Sequence, residues 1–113
     1  MDIKLKSVGE VQVVELHGDI DASTAPDITK FVSDLVKTNI RLLLDMTKVP
    51  YMSSAGLRTL LSLYRQITAK QGKVILVGLS EELVDTMSVT GFLDFFVTKS
   101  TQEEGLANLT QET

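Results

Sequence analysis

The sequence predicts an α/β fold, a single domain of residues 1–113 whose mixed, mostly parallel β-sheet carries an N-terminal β-hairpin and about four helices. Two strand-like segments near the N-terminus are separated by Gly9 and Glu10, which suit a hairpin. From residue 23 onward, helix patterns alternate with strand patterns, which favours parallel strands joined by crossover helices. Residues 74–77 form a short, uninterrupted apolar run, typical of a strand that is buried on both faces.

The first elements of the chain are the hairpin and a helix. Residues 3–8 show a weak alternation of apolar side chains, and residues 11–17 are rich in β-branched residues, so each segment is predicted to be a strand. Ser23 or Thr24 can cap the following helix, and Pro26 suits its first turn. This helix is expected to extend through five apolar positions at helical spacing: Ile28, Phe31, Val32, Leu35 and Val36.

The middle of the chain contains a strand and a longer helix. The strand is predicted at residues 40–45 and the helix from about residue 54 to residue 70, with Gly72 as the residue after its C-cap. The apolar face of this helix has i, i+3, i+4, i+7 spacing. Its members are Leu57, Leu60, Leu61 and Tyr64. After the buried strand at residues 74–77, a third helix is expected to begin at Ser80 and to stop at Gly91.

The C-terminal segment is predicted to contain a strand and a short helix. Residues 92–97 are expected to be partly strand. Residues 100–103, Ser-Thr-Gln-Glu, form a capping box that opens a helix carrying Leu106 and Leu109. The chain after Asn108 is expected to be frayed.

Composition and charge exclude several classes of function. The chain has no cysteine, which excludes disulfides, zinc–thiolate sites and thiol catalysis. Its net charge is −4 and its lysines and arginines form no run, so we expect no nucleic-acid partner, since such binding depends largely on cationic contacts to phosphate. The N-terminus lacks the apolar region of a signal peptide, and no apolar run is long enough to cross a bilayer. We therefore expect a cytoplasmic protein without membrane insertion.

The sequence contains no recognisable catalytic motif. A hydrolytic serine needs a nearby base, but His17 is the single histidine and lies on a predicted strand. The serine-hydrolase elbow and the glycine-rich phosphate-binding loops are absent, so we expect no catalytic residue and no cofactor. Asp19, Asp21 and Asp45 lie near strand ends and resemble the Mg²⁺ site of a response-regulator receiver domain. The alternative, which leaves the protein without a metal, is that Asp19 and Asp21 are turn and cap residues.

Ser53 and Ser54 stand at the predicted start of the second helix, where free backbone N–H groups and the positive end of the helix dipole gather. A serine in this position can cap the helix through its hydroxyl oxygen. It can also carry a phosphate group, whose negative charge a helix N-terminus tolerates well. Spacing alone favours neither role.

Three ordered segments resemble motifs of the bacterial anti-sigma-factor antagonists, the STAS domain family. Residues 49–57, Val-Pro-Tyr-Met-Ser-Ser-Ala-Gly-Leu, are similar to the family signature aromatic-Met-Asp-Ser-(Ser/Thr/Ala)-Gly-Leu, which follows a strand ending in Asp-x-(Ser/Thr), as residues 45–47 do. Residues 18–21, Gly-Asp-Ile-Asp, resemble a second element. Residues 90–96, Thr-Gly-Phe-Leu-Asp-Phe-Phe, resemble a third. The resemblance covers residues 3 to about 108 and implies a STAS-like fold.

The resemblance also implies a function and a site. Ser54, or alternatively Ser53, would be phosphorylated by the partner, an anti-sigma factor that is an ATP-dependent serine kinase, and a phosphoserine phosphatase would reverse this step. Unphosphorylated protein would bind the anti-sigma factor and free a sigma factor. The partner-binding residues implied are Asp19, Asp21, Ser53, Ser54, Ala55, Gly56 and Arg58.

Two departures from the family pattern leave other functions open. Ser53 replaces the usual Asp, and Arg58 stands where many members have Gly. One alternative is therefore a constitutive scaffold or an accessory subunit of a signalling or lipid-transport complex, whose assembly ignores Ser54. A further alternative is a receiver domain in which Asp45 accepts a phosphoryl group.

Overall fold

A computed structural model describes residues 1–110 and contains one five-stranded sheet in the order β1-β2-β3-β4-β5. The strands are β1 (Asp2–Val8), β2 (Val11–His17), β3 (Arg41–Lys48), β4 (Lys73–Val77) and β5 (Val97–Lys99). The β1–β2 pair is antiparallel, and the other three pairs are parallel. The predicted mixed sheet with an N-terminal hairpin is therefore confirmed.

Four α-helices cover the two faces of this sheet. They are α1 (Ala25–Ser33), α2 (Ser54–Ala69), α3 (Glu81–Val89) and α4 (Gln102–Thr110). Helices α1, α2 and α3 pack on one face, and α4 packs on the other face. Across residues 1–110, none of the helices has the length and apolar character needed to span a bilayer.

The sheet separates a large core from a smaller one. Apolar strand residues alternate between the faces, so Leu42 and Leu44 contribute to the core beneath α1–α3, whereas Leu43 contributes to the core beneath α4. Gly105 allows α4 to lie close to the sheet, because a Cβ atom there would come within 2.8 Å of Leu43 Cδ1 and Val77 Cγ1. The two cores explain why residues 74–77 are apolar at every position.

Two predicted helix ends differ from the structure. Helix α1 ends at Ser33, so Leu35 and Val36 lie outside it although both still pack against the core. After Ser33 the hydrogen bonds change to i→i−3 spacing: Leu35 N–H donates to Val32 O, and Val36 N–H donates to Ser33 O. The chain then leads into β3. At the end of α2, Gln71 rather than Gly72 has the left-handed conformation, with φ of 59°.

Three further boundaries differ near the C-terminus. The aromatic run forms a 3₁₀ helix at Phe92–Phe95, and strand β5 begins only at Val97. The capping box is shifted by one residue: Glu104 N–H donates to Thr101 Oγ1 at 3.1 Å, and Ser100 N–H donates to the Glu104 carboxylate at 3.0 Å. Helix α4 continues to Thr110, and Leu109 is buried. The predicted fraying after Asn108 is therefore wrong for residues 109 and 110. Residues 111–113 lie outside the described range.

Candidate functional site

The loops that follow β2 and β3 lie side by side at the carboxyl ends of these two neighbouring parallel strands. Gly18 N–H donates to Lys48 O at 3.0 Å, and Ile20 N–H donates to Tyr51 O at 2.9 Å. Ser53 N–H returns to Ile20 O at 2.9 Å. Such edges of parallel sheets commonly carry binding residues. The three hydrogen bonds hold the two loops together as one surface.

Gly56 allows α2 to begin directly against this pair of loops. A Cβ atom at Gly56 would lie 2.6 Å from Ile20 O and 2.7 Å from Met52 Cγ. Real Cβ atoms essentially never approach heavy atoms this closely. Gly56 is itself buried, so it supports the surface from beneath. The start of α2 is thus fixed in position by backbone contact.

The structure assigns different positions to the two serines. Ser53 is the N-cap of α2, and its hydroxyl oxygen accepts a hydrogen bond from Gly56 N–H at 3.3 Å. Ser54 is the first helical residue, and its side chain is exposed. Within residues 1–110, the Ser54 hydroxyl makes no hydrogen bond. Ser53 therefore satisfies the helix end, whereas Ser54 presents a free hydroxyl to solvent.

The surroundings of Ser54 favour a negative charge. The first turn of α2 contains no acidic side chain, and its N-terminus carries the positive end of the helix dipole. Arg58 lies four residues after Ser54, one turn along the helix, and is exposed. Side chains at this spacing are neighbours on a helix surface. A phosphate on Ser54 would meet a cation and no carboxylate within its own helix turn.

Asp21 organises the start of α1. Its carboxylate accepts hydrogen bonds from Ser23 N–H at 2.9 Å, Ser23 Oγ at 2.6 Å and Thr24 N–H at 3.2 Å. These bonds, led by the one from the Ser23 hydroxyl, hold the pKa of Asp21 below its ordinary value. Thr24 Oγ1 also donates to the backbone carbonyl of Asp19, whose side chain is exposed. Asp21 therefore holds the turn that precedes α1, whereas Thr24 is the N-cap of the helix and makes no side-chain capping bond.

Asp45 belongs to a different cluster, in which it contacts α4 rather than Asp19 or Asp21. Gln102 donates its side-chain amide to Asp45 at 2.6 Å and to Glu15 at 2.7 Å. Burial raises the pKa of Asp45, but hydrogen bonds from Thr47 and Gln102 outweigh it and leave the pKa below its ordinary value. Among the described residues, no three acidic or histidine side chains are arranged to hold a metal ion.

His17 is part of that second cluster and is not a base for Ser54. Its Nδ1 lies 3.8 Å from the Asp2 carboxylate, and its Nε2 lies 4.0 Å from Glu15. It stands at the end of β2, on the strand where the sequence placed it.

The structure adds residues that the sequence analysis did not assign to the site. Tyr51 is 54% exposed and precedes Ser54 by three positions, so it adds an exposed aromatic ring to the loop that leads into α2. Ala55 and Arg58 line a groove between α1 and α2 together with Ala22 and Pro26. The available signal for Tyr51 was its match to the aromatic position of the family signature at residues 49–57. The groove could not be predicted, because it depends on how the two helices pack.

A family model described as the STAS domain matches residues 2–105. The anti-sigma-B factor antagonist of Listeria monocytogenes is 30% identical over 105 residues, which cover 92% of this chain and 91% of that protein.

Solved structures of other proteins share the fold of this chain. An anti-sigma factor antagonist from Mycobacterium paratuberculosis superposes with a TM-score of 0.84 at 22% identity, covering 96% of this chain and 93% of that one. The phosphorylated form of the Bacillus cell fate determinant SpoIIAA gives a TM-score of 0.72 at 21% identity, covering 96% of this chain and 99% of that one.

Proposed function

This chain belongs to the STAS domain family, and on that basis we propose that it is an anti-sigma factor antagonist whose binding is controlled by phosphorylation of Ser54. Unphosphorylated protein binds an anti-sigma factor and thereby frees a sigma factor. Phosphorylated protein releases the anti-sigma factor. The protein itself acts by binding, without a catalytic residue or a cofactor.

The observation that carries this proposal is the separation of the two serines. Capping by Ser53 leaves α2 intact whatever happens to Ser54, since the N-cap hydrogen bond to Gly56 does not involve Ser54. The exposed Ser54 hydroxyl is accessible to a kinase. Modification can therefore change the surface of the protein without unfolding the helix that carries it.

The charge of a phosphate group is large enough to act as a switch. Phosphorylation adds about 1.5 to 2 negative charges. Facing a partner carboxylate at about 4 Å, each charge costs on the order of 4 kcal/mol at an interface-like dielectric. A loss of about 3 kcal/mol already weakens binding about a hundredfold. Partial neutralisation by Arg58 leaves a net negative group in place.

The partner that suits this site is an anti-sigma factor of the ATP-dependent serine kinase type, with a phosphoserine phosphatase to reset the protein. The Listeria relative carries the name anti-sigma-B factor antagonist, which supports an anti-sigma factor as the partner. The contact surface we propose surrounds the start of α2. It comprises Asp19, Asp21, Tyr51, Ser53, Ser54, Ala55 and Arg58, with Gly56 beneath it.

The proposal is tested by binding measurements on matched variants. The anti-sigma factor is first captured from native lysate on the wild-type protein, purified, and its dissociation constant measured by calorimetry. We expect Ser54→Ala to bind like wild type, Ser54→Asp to bind at least tenfold more weakly, and wild-type protein phosphorylated with ATP to bind about a hundredfold more weakly. Ser88→Asp, which adds the same charge at an exposed position of α3, should bind like wild type. Equal binding of Ser54→Asp and Ser88→Asp would refute the switch.

A constitutive scaffold is the competing function, and Ser53 is the observation that favours it. A serine at this position removes the carboxylate that kinases of relatives could recognise, and it serves the helix as a cap. A scaffold would retain the same partners on wild type and on Ser54→Asp. The binding experiment therefore separates the two functions directly.

A further inference from the structure

A cleft lies at the pole of the sheet opposite to Ser54, where β3 and β4 begin. It has a volume of about 750 Å³ and is bounded by the β1–β2 turn, the α1–β3 connection and the α2–β4 connection. Small-molecule sites commonly measure about 300–1,000 Å³. At about 3.3 Å per residue, the length of β3 separates this cleft from the Ser54 surface by roughly 25 Å. The cleft is thus distinct from the proposed switch.

The charge of the cleft is opposite to that of the chain. The protein has a net charge of −4, yet within residues 1–110 the cleft is lined by three cationic residues, Lys37, Arg41 and Lys73, and by one acidic residue, Glu10. Like charges gathered in a concave surface raise the local concentration of counter-ions. The cleft is therefore suited to anions.

The rim of the cleft is held by backbone hydrogen bonds. Asn39 N–H donates to Lys70 O at 2.8 Å, and Lys73 N–H donates to Ile40 O at 2.8 Å, which joins the two connections. Asn39 and Gln71, with φ of 64° and 59°, are the non-glycine residues with left-handed backbone among residues 1–110, and both line the cleft. Such conformations persist where the surroundings fix them. The backbone that carries the cationic side chains is consequently held in one conformation.

Arg41 is the cation whose position is best defined. It is partly buried, and its Nη1 donates to the carbonyl oxygen of Leu109 at the end of α4. A guanidinium group has five N–H donors, so this bond leaves others for a ligand. Arginine donors match the geometry of phosphate oxygens. Arg41 thus provides a fixed donor set at one wall of the cleft.

We propose that this cleft binds a small phosphate-containing polyanion, with Lys37 and Arg41 as its cationic contacts. The side chains described as lining the cleft include no aromatic ring on which a nucleobase could stack, and they do include the amides of Asn39 and Gln71. The recognised group is the phosphate itself, carried either by an inorganic ion or by a phosphorylated metabolite. The proposal is independent of Ser54 and of the anti-sigma factor.

The test is a titration of ¹⁵N-labelled protein at constant ionic strength, followed by NMR, with pyrophosphate, inorganic phosphate and citrate as separate probes. We expect saturable shifts with pyrophosphate, centred on residues 9–12, 37–41 and 71–73, with a dissociation constant on the order of 1 mM. Phosphate should bind more weakly, and citrate should bind at least fivefold more weakly than pyrophosphate. Citrate binding as tight as pyrophosphate binding would overturn the assignment to phosphate.

Variants locate the site and keep the test independent of folding. Lys37→Gln, at an exposed position whose side chain makes no hydrogen bond or ion pair within residues 1–110, should weaken pyrophosphate at least fivefold. Arg65→Gln removes an exposed cation from α2, away from the cleft, and should leave the affinity unchanged. Shifts that do not saturate, that lie elsewhere, or that respond equally to the two substitutions would refute the proposal.

Discussion

Replacing Gly56 with alanine tests whether the close approach of α2 to the β2–α1 loop holds the site together. Ordinary van der Waals contact begins at 3.4 Å, whereas the new Cβ atom would lie 2.6 Å from Ile20 O, so the two backbones must separate by about 0.8 Å. The hydrogen bond from Ser53 N–H to Ile20 O, now 2.9 Å long, spans the same contact and is expected to weaken with it.

The expected change in stability combines opposing contributions. Overpacking costs about 1–3 kcal/mol, and loss of the Ser53–Ile20 hydrogen bond costs about 0.5–1.5 kcal/mol. Alanine favours the helix over glycine by about 1 kcal/mol. Gly56→Ala should therefore lower the free energy of unfolding by about 0.5–3.5 kcal/mol, measured by urea denaturation followed by circular dichroism at 222 nm.

Gly105 provides the matched control. The substitution is again glycine to alanine within a helix, but the Cβ atom would meet the side-chain methyl groups of Leu43 and Val77 instead of a backbone carbonyl. Side chains adjust more easily than a hydrogen-bonded backbone, so Gly105→Ala should cost less than Gly56→Ala. If Gly56→Ala is as stable as the wild type, the close contact does not constrain α2 and the reasoning is wrong.

Two further predictions concern single side chains. Ser53→Ala should lower the free energy of unfolding by about 1 kcal/mol because it removes the N-cap of α2. In the same urea assay, Ser54→Ala should stay within about 0.5 kcal/mol of wild type. Equal effects of the two substitutions would contradict the assignment of the cap to Ser53. The pKa of Asp45 in the folded protein lies below its ordinary value of 3.8. The ionised carboxylate therefore stabilises the fold at any pH above 3.8, and this contribution is lost as the pH falls through the folded pKa. The urea midpoint of Asp45→Asn should consequently fall less than that of wild type between about pH 5 and pH 3, and an identical fall would exclude this contribution.

The sequence was sufficient to predict most of the fold because its patterns have few structural solutions. Two strand patterns joined by Gly9 and Glu10 specify a hairpin, and the later alternation of helices and strands specifies parallel pairing. The end of α1 was placed too late because Leu35 and Val36 do contact the core, but from a turn rather than from a helix. Apolar spacing reports which residues are buried more reliably than where hydrogen bonding stops.

The aromatic run near the C-terminus shows a different limit. Aromatic residues favour strands, but Tyr64 on α2 packs edge-on against Phe95 and Phe96, with ring centroids 5.8 Å and 5.4 Å away. These long-range contacts hold the end of the 3₁₀ helix against α2, and no local pattern encodes them. At the site, the sequence located both serines at the helix start, yet only the hydrogen bond to Gly56 N–H shows which of them is the cap.

The position of α4 has a consequence for how the protein is made. The smaller core, built on Val13, Leu43 and Val77, receives its buried α4 residue from Leu109, and α4 follows all five strands in the chain. Gln102 reaches Glu15 and Asp45 across 87 and 57 residues of sequence. This face of the sheet therefore stays uncovered until α4 is available to pack on it. A chain that lacks α4 exposes this apolar surface, and exposed apolar surface favours aggregation.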